Sequence, residues 1–76
     1  MANSIHLQGI GSVAAVKAGE VTVGTVLLFN YGYRETVVGV ERAKSGTSVK
    51  ISMRSHQDGK VYTRTKRVGT LVGLAD

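Results

Sequence analysis

The sequence predicts a small all-β protein, and three features lead to that prediction. From about residue 35, apolar and polar residues alternate, as in residues 49–54, where Val, Ile and Met alternate with Lys, Ser and Arg. Val, Thr and Ile, which suit the pleated surface of a strand, dominate the same region. Turn signals interrupt it at hairpin spacing, among them Asp58-Gly59. A chain of 76 residues is long enough for one small domain only.

Five strands joined by short turns are expected, at residues 26–29, 35–42, 48–55, 60–67 and 71–74. Short strands at this spacing favour a small closed barrel or a strongly bent sheet, in which Gly residues allow the kinks. Residues 1–16 are expected to form an N-terminal arm or a short extra strand ahead of the single domain at residues 17–76. The predicted core consists of Val23, Val26, Leu28, Val38, Val40, Val49, Ile51, Met53, Leu71 and Leu74.

Composition excludes several classes of protein. The chain has no Cys, which excludes a disulfide scaffold, a thiolate zinc site, an iron–sulfur cluster and a cysteine nucleophile. The two longest runs without Asp, Glu, Lys or Arg, residues 1–16 and 21–33, contain several polar residues and Gly, so neither provides the roughly 20 apolar residues of a membrane helix. The N-terminus lacks the basic and apolar segments of a signal peptide. We therefore expect a soluble, cytoplasmic protein that does not bind membranes.

Motifs that suggest catalysis or cofactor binding lack the context that this chemistry needs. Residues 9–14 match the dinucleotide-binding pattern G-x-G-x-x-A, yet Gly19 would stop the following helix too early for a βαβ unit. His6 and His56 do not have metal-ligand spacing. Neither a strained Ser turn nor a carboxylate pair stands out. We expect no enzyme activity, no catalytic residue, no metal and no cofactor.

The positive charge is concentrated in one part of the chain. Residues 42–67 contain eight Lys and Arg against one Asp, a net charge of +7, whereas residues 1–41 have a net charge of −1. This concentration exceeds ordinary scatter and predicts a polyanion-binding surface. The alternative is that the cations only keep a small sheet soluble and protect its edges. The candidate nucleic-acid-binding residues are Lys50, Arg54, Lys60, Tyr62, Arg64, Lys66 and Arg67.

The alternation of side chains decides whether Tyr62 can stack on a base. Tyr62 shares a strand face with Arg64 and Lys66, whereas Thr63 and Thr65 lie on the other face. Because Arg and Lys would make a worse core than two Thr, we place Tyr62 on the exposed face. An exposed Tyr among cations is the combination that single-strand-binding proteins use.

The segment at residues 30–34 is a second candidate contact, for bases or for a partner protein. Tyr31, Tyr33 and Arg34 lie in or next to a turn, and Tyr with Arg suits base stacking as well as protein interfaces. The alternative is that Tyr33 packs over the mouth of the barrel, because a core with a single Phe needs aromatic volume.

The segment KAGEVTVGTVLLFNYG at residues 17–32 resembles the opening of small SH3-like β-barrels, where a turn with Gly precedes the first strand. Together with residues 59–64, it is similar to short proteins encoded by phages of actinobacteria. The resemblance covers residues 17–75 and implies an SH3-like barrel of about five antiparallel strands, a phage origin and hence a bacterial host cell. It carries over no catalytic residue. SH3-like barrels include nucleic-acid binders, ring subunits and peptide binders, so the fold does not select the function.

The leading hypothesis is a non-enzymatic nucleic-acid-binding protein, with DNA and RNA both open as partners. Weak sequence specificity is expected, since nothing indicates a recognition helix. The alternative is a protein-binding or structural phage module, for example a homo-oligomeric assembly subunit or an accessory factor. Its interface would use Phe29, Tyr31, Tyr33 and Val37.

Overall fold

The structure, a computed structural model, describes residues 3–75; residues 1–2 of the expected arm and residue 76 lie outside the described residues. The strands are β1 (Asn3–Leu7), β2 (Gly11–Lys17), β3 (Val26–Leu28), β4 (Arg34–Arg42), β5 (Ser48–Ser55), β6 (Val61–Arg67) and β7 (Leu71–Leu74). Short 3-10 turns occupy Ala18–Glu20 and Asn30–Gly32. All pairings in the sheet are antiparallel, and the strand order is β1-β2-β7-β3-β4-β5-β6. The all-β class is confirmed.

The sheet is open, with β1 and β6 at its two edges, so the described residues do not form the closed barrel expected from the sequence. The five predicted strands are present as β3 to β7, each within one residue of its predicted bounds. Of the two alternatives for the N-terminal segment, the structure has strands, because β1 and β2 pair as a hairpin from residue 3 onwards.

The main core lies on one face of β3, β4 and β5, which we call the core face. Leu27, Val37 and Ile51 are at most 1% exposed. Along each strand, the residues that alternate with the buried ones point to the opposite face of the sheet, which we call the outer face. The buried cluster consists of Ala18, Val21, Leu27, Val37, Val49, Ile51, Met53 and Val72. Strand alternation therefore produces one apolar and one polar surface in this half of the sheet.

The predicted core is right at four positions, namely Leu28, Val49, Ile51 and Met53, which are all buried. Three positions are only partly buried, namely Val26, Leu71 and Leu74. Three are exposed, namely Val23, Val38 and Val40. Val23 is exposed because it lies in a turn closed by a hydrogen bond from the Thr25 N–H to the Thr22 carbonyl. Val21, two residues earlier, is buried in the core instead.

A bulge at Val38 changes which side chains of β4 point inward. Val37 pairs with Met53, but the next pair is Gly39 with Ser52, so Val38 has no partner of its own. A bulge of this kind inserts one extra residue and reverses the alternation beyond it. Val37 is buried and Val38 is 40% exposed as a result. Beyond the bulge Val40 returns to the core side opposite Ile51, yet 38% of it stays exposed.

The C-terminal strand β7 lies between β2 and β3 and joins the N-terminal hairpin to the rest of the sheet. At its centre Gly73 pairs with Ala15 on one side and Leu28 on the other. A Cβ atom at Gly73 would lie 2.8 Å from the Leu28 carbonyl oxygen and 3.3 Å from the Leu7 side chain. Leu7, Ala15 and Leu28 are buried around it, which forms a second, smaller apolar cluster on the outer side of the sheet.

The bulge predicts opposite results for two adjacent valines. We expect Val37→Ala to lower the free energy of unfolding by about 2 kcal/mol, because it leaves a cavity in the core. Val38→Ala should change it by less than about 0.5 kcal/mol, since that side chain is largely in solvent. Urea denaturation of both variants measures the difference, and equal losses would show that the alternation of β4 has been assigned wrongly.

Candidate functional site

The β5–β6 register divides the predicted basic residues between the two faces of the sheet. Tyr62, Arg64 and Lys66 pair with Met53, Ile51 and Val49, so they lie on the core side. They share one face, as predicted. Tyr62 is 41% exposed, as predicted, but it lies on the core side of the edge strand β6, so the expected position on the face away from the core is wrong. The expected single basic face is therefore split.

The remaining cations of these strands lie on the outer face. Lys50 pairs with Thr65, Arg54 with Val61, and Arg67 with Ser48. All three cations are exposed. Among residues 3–75 none of them has a carboxylate within 4.0 Å, because the one ion pair in that range joins Arg64 to Glu35. Lys60 is also exposed, in the turn before β6.

Arg64 is held on the core side by two contacts. Its guanidinium lies 3.6 Å from the Glu35 carboxylate and 5.5 Å from the centre of the Phe29 ring, in cation–π geometry. Glu35 is 8% exposed, and its Oε1 atom has no hydrogen-bond partner. Arg64 therefore compensates a buried carboxylate, a structural task that the sequence analysis did not anticipate. The Val37 contact expected for a partner protein is wrong, since that side chain is buried.

Tyr62 closes the β5–β6 turn through Asp58. The Tyr62 hydroxyl donates a hydrogen bond of 2.5 Å to the Asp58 carboxylate, which also accepts one from the Lys60 N–H. These bonds, that of Tyr62 first, hold the pKa of Asp58 below its ordinary value of 3.8. The same hydrogen bond, with smaller contributions from desolvation and from the negative charge of Asp58, raises the pKa of Tyr62 above 10.0. Tyr62 is therefore a neutral side chain fixed at one end.

Tyr31 has an unusual backbone conformation that is stabilised by the N-terminal hairpin. Its φ of 64° is in the left-handed region, which non-Gly residues rarely adopt. The Tyr31 N–H donates to the Gln8 carbonyl at 2.7 Å, and its hydroxyl donates to Oε1 of Gln8 at 3.1 Å. Gly9 leaves room for the ring, because a Cβ there would lie 2.9 Å from it. The tyrosine turn is thus held by a segment that sequence analysis placed in an arm or strand.

An open cleft of about 370 Å³ lies at this end of the sheet; it is lined by Tyr31, Gly32, Tyr33, Arg34, His56 and Gln57. We call it the tyrosine cleft. It brings the three predicted residues of the turn together, and both Tyr rings are at least half exposed. Tyr33 therefore does not serve mainly as core volume.

His56 and Gln57 were not among the predicted contacts, and β4–β5 pairing places them in the cleft. The His56 N–H donates to the Arg34 carbonyl at 3.0 Å, and its Nε2 lies 2.6 Å from Oγ1 of Thr36. The sequence contains only an indirect signal for this arrangement. Because β4 and β5 form a hairpin, the turn before β4 and the turn after β5 lie side by side.

The tyrosine cleft is continuous with the outer face. Lys50, Ser52, Arg54 and His56 are alternate residues along one chain segment, and His56 lines the cleft. At roughly 3.3 Å per residue, this row spans about 20 Å. A second hollow of about 360 Å³ lies along it and is lined by Lys50, Ser52 and the acidic Glu41, which is opposite Lys50 on β4. The arrangement can present cations to phosphates along a track that ends at two aromatic rings.

Comparison with protein-family models, curated proteins and solved structures finds no match to this chain. Within residues 3–75, no cluster of three His, Asp or Glu side chains is arranged to hold a metal ion. No helix in the described part of the chain is long and apolar enough to cross a membrane.

The Tyr62–Asp58 bond predicts a pH-dependent difference in stability. Without the hydroxyl donor, we expect Tyr62→Phe to raise the pKa of Asp58 towards 3.8. A lowered carboxyl pKa stabilises the fold above the unfolded-state value, and that stabilisation is lost as the pH falls through the folded-state value. The free energies of unfolding of the two proteins should therefore differ at pH 6, and the difference should shrink as the pH falls below about 3.8. An NMR titration showing an unchanged Asp58 pKa in the variant would contradict this.

The Arg64–Glu35 contact predicts that Arg64 matters for stability. We expect Arg64→Ala to lower the free energy of unfolding by about 1–2 kcal/mol, because it leaves a buried carboxylate without compensation while the Arg itself is half exposed. Adding Glu35→Gln should restore most of the loss. Lys66→Ala on the same strand is the control and should have little effect. An Arg64→Ala protein as stable as wild type would show that the contact does not compensate Glu35.

Proposed function

We propose that this chain is a non-enzymatic protein that binds single-stranded nucleic acid along the outer face of β4, β5 and β6. The observation that carries the proposal is the row of exposed cations that leads into the tyrosine cleft. Lys50, Arg54 and Arg67 form no ion pair within 4.0 Å among residues 3–75, which supports a role for their charges in binding phosphates, although Glu41 lies opposite Lys50 on β4. Tyr31 and Tyr33 offer exposed rings at the end of that row.

A single strand fits this surface better than a duplex. Single-strand-binding proteins combine a basic track along the backbone with aromatic rings on which bases stack. A strand of about 20 Å, the length of the β5 row, offers several phosphates and one or two bases to the cleft. No recognition helix is present among the described residues, so we do not propose that a helix reads bases in the major groove of a duplex. The expected specificity for sequence is weak.

The strand order gives limited support from the fold. In β7-β3-β4-β5-β6 the last strand returns to pair with the first, a connectivity that resembles small SH3-like barrels despite the open sheet. We propose that relationship, together with the phage origin implied by the sequence resemblance of residues 17–32 and 59–64, as the context of the function. A fold of this kind does not by itself select nucleic acid as the ligand.

A protein-binding or assembly role is the second candidate. Both edges of the sheet are free of partners in the described residues, and free edges can pair with other chains. Light scattering at micromolar concentration separates the candidates, because a stable monomer argues against an assembly subunit.

The basic row is tested by removing its charges. We expect the triple variant Lys50→Ala, Arg54→Ala, Arg67→Ala to bind a labelled single-stranded oligonucleotide more weakly. The slope of log K against log salt should become shallower by about 2, since each phosphate contact contributes about 0.7. The control Lys17→Ala, Lys44→Ala, Lys66→Ala has the same net charge. Fluorescence anisotropy that gives equal slopes for both triples would remove the outer face from the proposal.

The tyrosine cleft is tested separately from charge. We expect Tyr33→Ala to weaken oligonucleotide binding by about 1–3 kcal/mol, the usual contribution of one stacked base. The salt slope should not change, because no cation is lost. Val23→Ala, another exposed apolar residue, is the control and should bind like wild type. Unchanged affinity in the Tyr33 variant would show that bases do not enter the cleft.

A further inference from the structure

β6 is an edge strand with unused backbone hydrogen-bonding groups. It has seven residues, and within the described chain only β5 pairs with it. The N–H of Ser55 donates to the Lys60 carbonyl, and the N–H of Val68 donates to the Thr47 carbonyl. Inward and outward groups alternate along an antiparallel strand. From residue 60 to residue 68, the backbone N–H and C=O groups of even-numbered residues therefore face β5, and those of odd-numbered residues face away from the sheet.

The outward groups are accessible over most of the strand. Val61, Thr63 and Thr65 direct their N–H and C=O groups away from β5 and are exposed. One outward group is already hydrogen-bonded within the chain: at the end of the strand, the Arg67 carbonyl accepts a hydrogen bond from the Thr70 N–H. The chain has no Pro, and the β5–β6 ladder has no register shift. Pro and a bulge, two of the features that block an edge, are therefore lacking in β6, whereas its cations oppose pairing with a basic strand and not with an acidic one.

The side chains along this edge are cationic. Arg64 and Lys66 flank it on the core side and Arg67 on the outer side, and of these only Arg64 lies near a carboxylate. Asp58, at the start of the strand, is bonded to Tyr62 and to the Lys60 N–H. An incoming strand therefore meets a row of positive charge beside free backbone groups.

We propose that the β6 edge binds an extended acidic segment of a partner protein, which joins the sheet as an additional strand. Backbone bonds to Val61, Thr63 and Thr65 supply affinity, as in other cases of strand addition. Acidic side chains at alternate positions lie next to Arg64 and Lys66, and opposite charges on neighbouring strands attract each other. The positions between them lie beside Thr63 and Thr65 and take β-branched residues.

The charge pattern argues against a second copy of this chain as the occupant. Two β6 strands paired antiparallel would bring several cations together, which is unfavourable. The other free edge, β1, has the sequence NSIHL and no acidic residue. The chain's own free edges therefore lack the negative charge that the β6 edge is suited to bind.

The direct test uses peptides and the wild-type protein. The probe is a fluorescein-labelled seven-residue peptide in which Glu alternates with Thr and Val. We expect a peptide with Lys in place of Glu to bind at least tenfold more weakly. Two further peptides carry N-methyl groups on every second backbone nitrogen, one at the odd and one at the even positions. We expect one of them to bind at least tenfold more weakly than the unmethylated peptide and the other to bind as well as it, because only alternate N–H groups face β6. Equal binding of the Glu and Lys peptides, or no difference between the two methylated peptides, would overturn the proposal.

A protein variant tests the same edge from the other side. Thr65→Pro removes an N–H that faces away from β5, so the ladder within the protein is kept. We expect it to bind the Glu peptide at least fivefold more weakly, whereas Thr65→Val, which keeps the N–H, should bind like wild type. Thr65→Pro and Thr65→Val both replace the same outer-face side chain, so they should bind the single-stranded oligonucleotide equally, and a difference between them in peptide binding alone separates the backbone edge from the outer face. Peptide binding unaffected by Thr65→Pro would contradict the proposal, and the methylated peptides decide if that variant does not fold.

Discussion

The position of β7 in the centre of the sheet is the constraint on which the rest of the architecture depends. This four-residue strand pairs with β2 on one side and β3 on the other, so it joins the N-terminal hairpin to the other four strands. Gly73 makes the close packing possible, because a Cβ there would lie 2.8 Å from the Leu28 carbonyl oxygen. Without β7 the hairpin would not be held near Tyr31, and the left-handed backbone of that residue would lose its hydrogen bonds to Gln8.

Register then sorts the charged residues into groups with different tasks. Pairing of β5 with β6 places Arg64 beside the core, where it faces the buried Glu35, and leaves Lys50 and Arg54 on the outer face. A basic region that is continuous in sequence is thus not one surface in space. One part compensates a buried carboxylate, one part lines a free edge, and one part leads into the tyrosine cleft. Each of these environments has a different consequence when its cation is removed.

The sequence was sufficient to predict the strands but not all of their faces. Alternation and turn residues act locally, so β3 to β7 were predicted within one residue. The bulge was missed because Val37 and Val38 are both apolar, and only pairing with β5 distinguishes them. Tyr62 is exposed, as predicted, but on the core side and not on the outer face, because only pairing with β5 places it opposite Met53. His56 entered the cleft through pairing of distant turns, which no local pattern encodes. Closure into a barrel depends on the twist and pairing of the whole sheet, and it was not predicted correctly.

NMR mapping with a single-stranded oligonucleotide tests the central claim most directly, namely that the outer face and the tyrosine cleft form one binding surface. The account predicts that addition of an unlabelled oligonucleotide at low salt shifts the amide signals of Lys50, Arg54, His56 and Tyr33. The signals of β1 and β7 should stay in place. Shifts confined to Lys66 and its neighbours on the core side, or no shifts at any ratio, would contradict it.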